Sequence, residues 1–217
     1  MNAATQRFII AGPAGELEVA LDRPTQETPT GLAVIAHPHP LYGGTLDNKV
    51  VQTIVRAFTS LGVICLRPNF RGVGKSVGTH DNGQGEVDDL WAAWEWLLHE
   101  FPQVKGVRWM AGFSFGAVMA THVAKEWAES TIARGQPELS RVVLVGLGLS
   151  PERRAAAPLT RAARLIHGEQ DEVILLADVE HWAAPQGFGV AVIPGAGHFF
   201  HGQLNDLKAR VLESLQQ

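Results

Sequence analysis

The sequence predicts an α/β fold: an eight-stranded, mostly parallel sheet whose second strand alone runs antiparallel, with helices on both faces. Three observations carry this. Past the first two apolar runs, strand-length runs alternate with longer helical stretches, a pattern that needs crossover connections and therefore parallel neighbours. The first two runs are separated only by Gly12, Pro13, Ala14 and Gly15, a turn too short for anything but an antiparallel hairpin. A chain of 217 residues that is 46% hydrophobic holds enough apolar material for one core with two helical layers, so residues 1–217 are expected to form one domain.

The strands are expected at residues 7–11, 17–21, 32–36, 63–67, 107–111, 142–146, 164–167 and 190–193. One helix is legible from Val87, Leu90, Trp91, Trp94, Leu97 and Leu98 at helical spacing, with Glu86, Asp88 and Asp89 loading its first turn. Its tryptophans read as packing against the sheet. Ala117 to Ala124 form a second helical stretch, and Leu204, Leu207, Val211, Leu212 and Leu215 mark a last one.

Chemistry enters between the fifth strand and the helix after it, at Gly112-Phe113-Ser114-Phe115-Gly116. A strand that turns sharply into a helix cramps its corner residue, so the positions two before and two after must lack bulk. Both are glycine. With 23 glycines in the chain, such a pentapeptide also arises by chance, and its setting is what singles out Ser114 as candidate nucleophile. A serine hydroxyl needs a base, commonly histidine, held in the right tautomer by a carboxylate.

Both partners follow, in the order serine, acid, histidine, and each lies just after a strand. Gly168-Glu169-Gln170-Asp171-Glu172 follows the seventh strand, and Gly195-Ala196-Gly197-His198 follows the eighth. Glu169 and Glu172 compete with Asp171 for the role of acid; Asp171 is favoured because Val173-Ile174 follows it. His201 competes with His198, but His198 directly follows the glycine turn and His201 is expected to begin the last helix. The other seven histidines read as surface or packing residues.

With these motifs the chain resembles the α/β-hydrolase superfamily from its first strand to its last helix. Three further segments, Ala36-His37-Pro38-His39-Pro40-Leu41-Tyr42-Gly43-Gly44-Thr45, Asp47-Asn48-Lys49-Val50-Val51, and Pro68-Asn69-Phe70-Arg71-Gly72-Val73-Gly74-Lys75-Ser76, resemble a group of small, lidless bacterial serine hydrolases described as carboxylesterase-like. The resemblance implies an α/β-hydrolase fold with no lid domain and esterase-type chemistry; no cofactor is expected. It also implies that the loop after the third strand donates one oxyanion amide beside that of Phe115. Pro38 and Pro40 carry no N–H. Alignment of His37 with the superfamily's usual His-Gly points to His39, with Leu41 and Tyr42 in reserve; those two are also candidate substrate contacts.

Two motifs suggest other chemistry, and each lacks what that chemistry requires. His37 and His39, two apart on an extended segment, could share a metal, but a barrel amidohydrolase needs about 250 residues and further ligands after later strands. No metal is expected. Gly72-Val73-Gly74-Lys75-Ser76 resembles the end of a phosphate-binding loop, yet that motif requires glycine where Asn69 stands. It reads instead as a flexible turn near the active-site mouth, in which Arg71 anchors the loop or touches substrate.

A net charge of −4 without a basic stripe argues against nucleic acid. Cys65, the single cysteine, excludes an internal disulfide, suits a reducing compartment and reads as a small core residue. The start, Met1 to Arg7, is polar and lacks an apolar centre, and no run of about 18 apolar residues spans a membrane. A cytoplasmic location is expected, with no membrane partner. About fifteen residues, including the alanine-rich run from Arg153 to Pro158, separate the sixth and seventh strands, too few for a separate cap of at least ~40.

The open site favours small acyl substrates, with Tyr42, Phe113, Phe115, Phe199 and Phe200 as candidate walls. The expected function is hydrolysis of a small carboxylic ester or thioester through an acyl-enzyme. A non-catalytic binding protein on this fold and a peptidase are the alternatives.

Overall fold

The computed structural model describes residues 5–134, 138–150, 154–159 and 163–216. Residues 1–4 of the polar start, and Arg153 of the alanine-rich run, lie outside the described residues. All eight expected strands are present: β1 (Thr5–Gly12), β2 (Gly15–Asp22), β3 (Gly31–Ala36), β4 (Val63–Pro68), β5 (Val107–Phe113), β6 (Arg141–Val145), β7 (Ala163–Gly168) and β8 (Val190–Ile193). They form one sheet in the order β1-β2-β4-β3-β5-β6-β7-β8. β2 runs antiparallel to both of its neighbours, and every other pairing is parallel.

The hairpin closes through Pro13 and Ala14, with Gly12 opposite Gly15. β5 continues past its expected end to Phe113 because Val145 of β6 offers a partner there. β6 stops at Val145, since Gly146 turns to a φ of +52° and leaves the sheet.

Among the described residues five α-helices cover the faces: α1 (Lys49–Ser60), α2 (Gln84–Glu100), α3 (Phe115–Arg134), α4 (Leu176–Ala183) and α5 (Leu204–Gln216). α1 and α4 are additional to the helices read from sequence. α1 begins where Asn48 caps the amides of Val50 and Val51, its Oδ1 accepting at 2.9 and 3.4 Å. α5 begins at Leu204, so His201 occupies the turn before the last helix rather than its first residue. Leu204 follows a turn closed by the Gln203 N–H on the Phe200 carbonyl.

Alternate residues of β3 to β7 feed two cores, as a pleated sheet requires. Leu32, Val34, Ile64, Leu66, Met110, Val142 and Leu144 pack with α2, α3 and α4. Ala33, Ile35, Val63, Cys65, Ala111, Val143 and Val145 pack with α1 and α5. The tryptophans of α2 are packing residues: Trp91 stacks on Trp127 at 5.2 Å, and Trp94 donates its indole N–H to Met110 Sδ. Burial pushes the Cys65 thiol up, as suits an inert core residue.

The described residues between β6 and β7 form no separate cap; residues 151–153 and 160–162 of that segment lie outside the description. Among the described residues no helix is long and apolar enough to cross a membrane. The parallel strands β3, β5, β7 and β8 all end at one edge of the sheet, which is where the residues singled out from sequence collect.

Asn48→Ala removes the side-chain acceptor for two orphan amides of α1 and should cost about 1 kcal/mol. Urea unfolding monitored by far-UV circular dichroism should show a lowered midpoint with an unchanged slope.

Candidate active site

Ser114 sits between β5 and α3 with φ at +56°, a left-handed conformation that side-chain-bearing residues rarely adopt. Its N–H donates to Val145 O at 3.0 Å, and its carbonyl accepts from Ala117 at 2.9 Å and from Gly148 at 3.2 Å. The flanking glycines are sterically required. A Cβ at Gly112 would lie 2.2 Å from the Gly116 carbonyl oxygen, and one at Gly116 would lie 2.4 Å from that of His37. The corner therefore packs against the end of β3 by backbone contact alone. Phe115 stands first in α3, where an N–H has no acceptor within the helix.

The loops after β7 and β8 are joined by backbone hydrogen bonds. Glu169 N–H donates to Ile193 O at 3.0 Å, and Gln170 N–H donates to Ala196 O at 2.9 Å. This joint brings Asp171 beside His198. His198 Nδ1 lies 2.7 Å from Asp171 Oδ2, and its Nε2 lies 3.0 Å from Ser114 Oγ. All three residues are buried. The competing acids Glu169 and Glu172 are exposed, and Glu169 instead accepts the Gly195 N–H.

Burial alone would raise the Asp171 pKa. The hydrogen bond from His198, the Ile174 amide, the His198 charge and the Val173 amide together outweigh it and hold the carboxyl below its ordinary value. Asp171 Oδ1 accepts from Val173 at 2.9 Å and from Ile174 at 2.8 Å. An ionised carboxylate so fixed favours the His198 tautomer that carries its hydrogen on Nδ1 and turns a lone pair toward the serine.

The loop after β3 lies alongside. The His37 ring is fully buried with both nitrogens used: Nδ1 donates to Pro38 O at 2.6 Å, and Nε2 accepts the Phe70 N–H at 3.0 Å. Burial holds its pKa down to about 4. His37 is thus a structural pin between two loops, not half of a metal pair with His39. The His39 ring packs 4.8 Å from that of Phe115, which puts this loop next to the start of α3.

Of the two reserve amides, Leu41 N–H donates to His39 Nδ1 and Tyr42 N–H to His39 O, so both are engaged within the loop. Leu41 and Tyr42 are 70% and 75% exposed, and the Tyr42 ring packs edge-on against that of His39 at 4.8 Å. Val173, Leu175 and Phe199, on the loops that carry Asp171 and His198, are exposed as well. Phe113 and Phe200 are fully buried, so neither lines an open acyl site; Phe113 packs 5.0 Å from His198 and supports the imidazole.

Arg71 anchors its loop. The guanidinium pairs with buried Asp89 of α2, Nη2 to Oδ1 at 2.9 Å, and its backbone N–H donates to the same carboxylate. Asn69 and Ser76 complete the anchoring: Asn69 bridges Glu18 and the Leu46 amide, and Ser76 donates to Asn69 O. His80 was not expected here. Its ring lies 4.8 Å from His39 and 5.6 Å from Phe115, and Nδ1 is 2.6 Å from the buried Glu86 carboxylate. Only tertiary packing brings this residue to the site, and no local motif marks it.

A serine backed by histidine and aspartate on this sheet edge, with no cap among the described residues, defines an α/β hydrolase of the serine hydrolase type. Residues 15–133 match the sequence profile of the family described as X-Pro dipeptidyl-peptidase (S15 family), and the chain belongs to that family. It is similar to an α/β serine hydrolase homologue from Coxiella burnetii, with 37% identity, a TM-score of 0.81 and 97% of each chain covered. It is similar too to a lidless α/β serine hydrolase from Xanthomonas campestris, with 29% identity, a TM-score of 0.82, and 100% of this chain and 95% of that one covered. An uncharacterized protein of Rickettsia prowazekii is 29% identical over 215 residues, 94% of this chain and 86% of the relative.

Because the folded state disfavours protonation of His37, stability should fall as pH drops from its ordinary value of 6.5 toward about 4, and should change no further from this source below that. The shift corresponds to about 3 kcal/mol. Urea titrations across this range should show the loss, and His37→Gln, which cannot take up the proton, should flatten it.

Proposed function

We propose that the chain is a serine hydrolase that cleaves small carboxylic esters or thioesters through an acyl-enzyme intermediate. The observation that carries this reading is the unbroken contact from Ser114 Oγ through His198 to Asp171, with the serine on a strained corner. Ser114 attacks the carbonyl carbon as His198 Nε2 takes the hydroxyl proton. The same proton then passes to the leaving group, and water repeats the sequence to release the acid. Asp171 orients His198 and balances its charge. The amides of Phe115 and His39 are proposed to hold the oxyanion; the ring contact between these residues supports their common placement.

The uncovered edge supports small or solvent-accessible substrates, with Leu41 and Tyr42 proposed as contacts on the acyl side. Ser114→Ala should abolish p-nitrophenyl acetate turnover, by on the order of 10⁴-fold, without altering the circular dichroism spectrum. A fluorophosphonate should label the wild type and not the variant. Failure to label an intact wild type would instead favour a binding role.

A second reading follows from the family match: a peptidase-type hydrolase that uses the same three residues to cleave an amide. The two readings separate on a substrate panel. Acyl esters and thioesters of graded length should be turned over well and Ala-Pro-p-nitroanilide poorly, and the reverse order of kcat/KM would select the peptidase.

A further inference from the structure

Asp171 is approached by two imidazoles, only one of which faces the serine. His167, the penultimate residue of β7, is fully buried, and its Nε2 lies 2.9 Å from Ile174 O and 3.3 Å from Asp171 Oδ2. Both neighbours are acceptors, so the tautomer that suits them carries its hydrogen on Nε2 and a lone pair on Nδ1. Nδ1 is buried, with no hydrogen-bond partner among the described residues. Burying a polar ring with one edge unsatisfied costs free energy that an apolar side chain of similar size would not. The compensation lies at Nε2 alone.

The two oxygens of Asp171 are held differently. Oδ1 is fixed by the Val173 and Ile174 amides within its own loop. Oδ2, the oxygen that meets His198, has the His167 Nε2 as a further neighbour at 3.3 Å, a longer approach than the 2.9 Å hydrogen bond that the same nitrogen makes to Ile174 O. His167 also ties the far end of the loop, through Ile174 O, back to the strand.

We propose that His167 is a positioning residue for the Asp171–His198 pair, its Nε2–H holding Asp171 Oδ2 in line with His198 Nδ1. This rests on the proposed triad. His167 touches neither serine nor substrate, so its loss should lower kcat and leave KM for p-nitrophenyl acetate near its wild-type value. His167→Phe should cost on the order of ten- to hundredfold in kcat, the range seen when a group that orients a reacting residue is removed. His167→Gln, whose amide can still donate toward Oδ2, should recover much of that loss.

Ser114→Ala and His198→Ala, assayed in parallel, separate the two levels. Should they retain activity, the triad reading fails. Should they lose it while folded His167→Phe keeps full kcat, or His167→Gln fall as far as His167→Phe, the positioning role fails and packing alone explains the residue. Nitrogen-15 histidine spectra of the unmodified protein give a test independent of any variant's folding. They should place the His167 hydrogen on Nε2, and finding it on Nδ1 would overturn the proposal.

Discussion

The backbone of Ser114 occupies a left-handed conformation that costs a side-chain-bearing residue about 1–3 kcal/mol, and the close approach of β5, α3 and β3 over-determines it. Gly112 and Gly116 meet opposing carbonyls at distances no side chain tolerates, while the Ser114 carbonyl takes amides from both α3 and the turn after β6. Relaxing the corner would have to separate the helix from the sheet. The position of the hydroxyl is thus set by the core, and the loops are arranged around a fixed point.

Around that point, buried polar groups do the work that covalent links would do elsewhere. Arg67 and Asp22 pair at 2.8 Å with both side chains buried, and Arg67 also donates to Leu46 O, joining β4, β2 and the segment before α1. Asn69 and Glu18 add a second bridge, His37 a third, and Arg71 with Asp89 a fourth. A buried pair of this kind adds little net stability over apolar packing, but removing one partner strands the other. Such groups fix which arrangement of loops is adopted.

The strand plan was legible because each strand is a short apolar run bounded by turn residues, and the serine, aspartate and histidine were legible because each follows such a run. Chain order and strand ends together place three residues on one sheet edge without any knowledge of contacts. The two helices missed are those whose starts are set by context. α1 begins within a loop motif whose cap, Asn48, is recognisable only once the loop's path is known, and α4 is short and follows the Asp171 turn directly. His80 and His167 escaped for a related reason. Their neighbours come from tertiary packing, or from a turn whose geometry the residue itself helps define.

β8 spans four residues at the margin of the sheet, paired on one side only, and it delivers His198. β5, which delivers Ser114, is enclosed on both sides by β3 and β6. Fraying of a four-residue border therefore parts base from alcohol while the central layer stays intact. Under the proposed chemistry, parting at this margin would end turnover without requiring the central layer to melt.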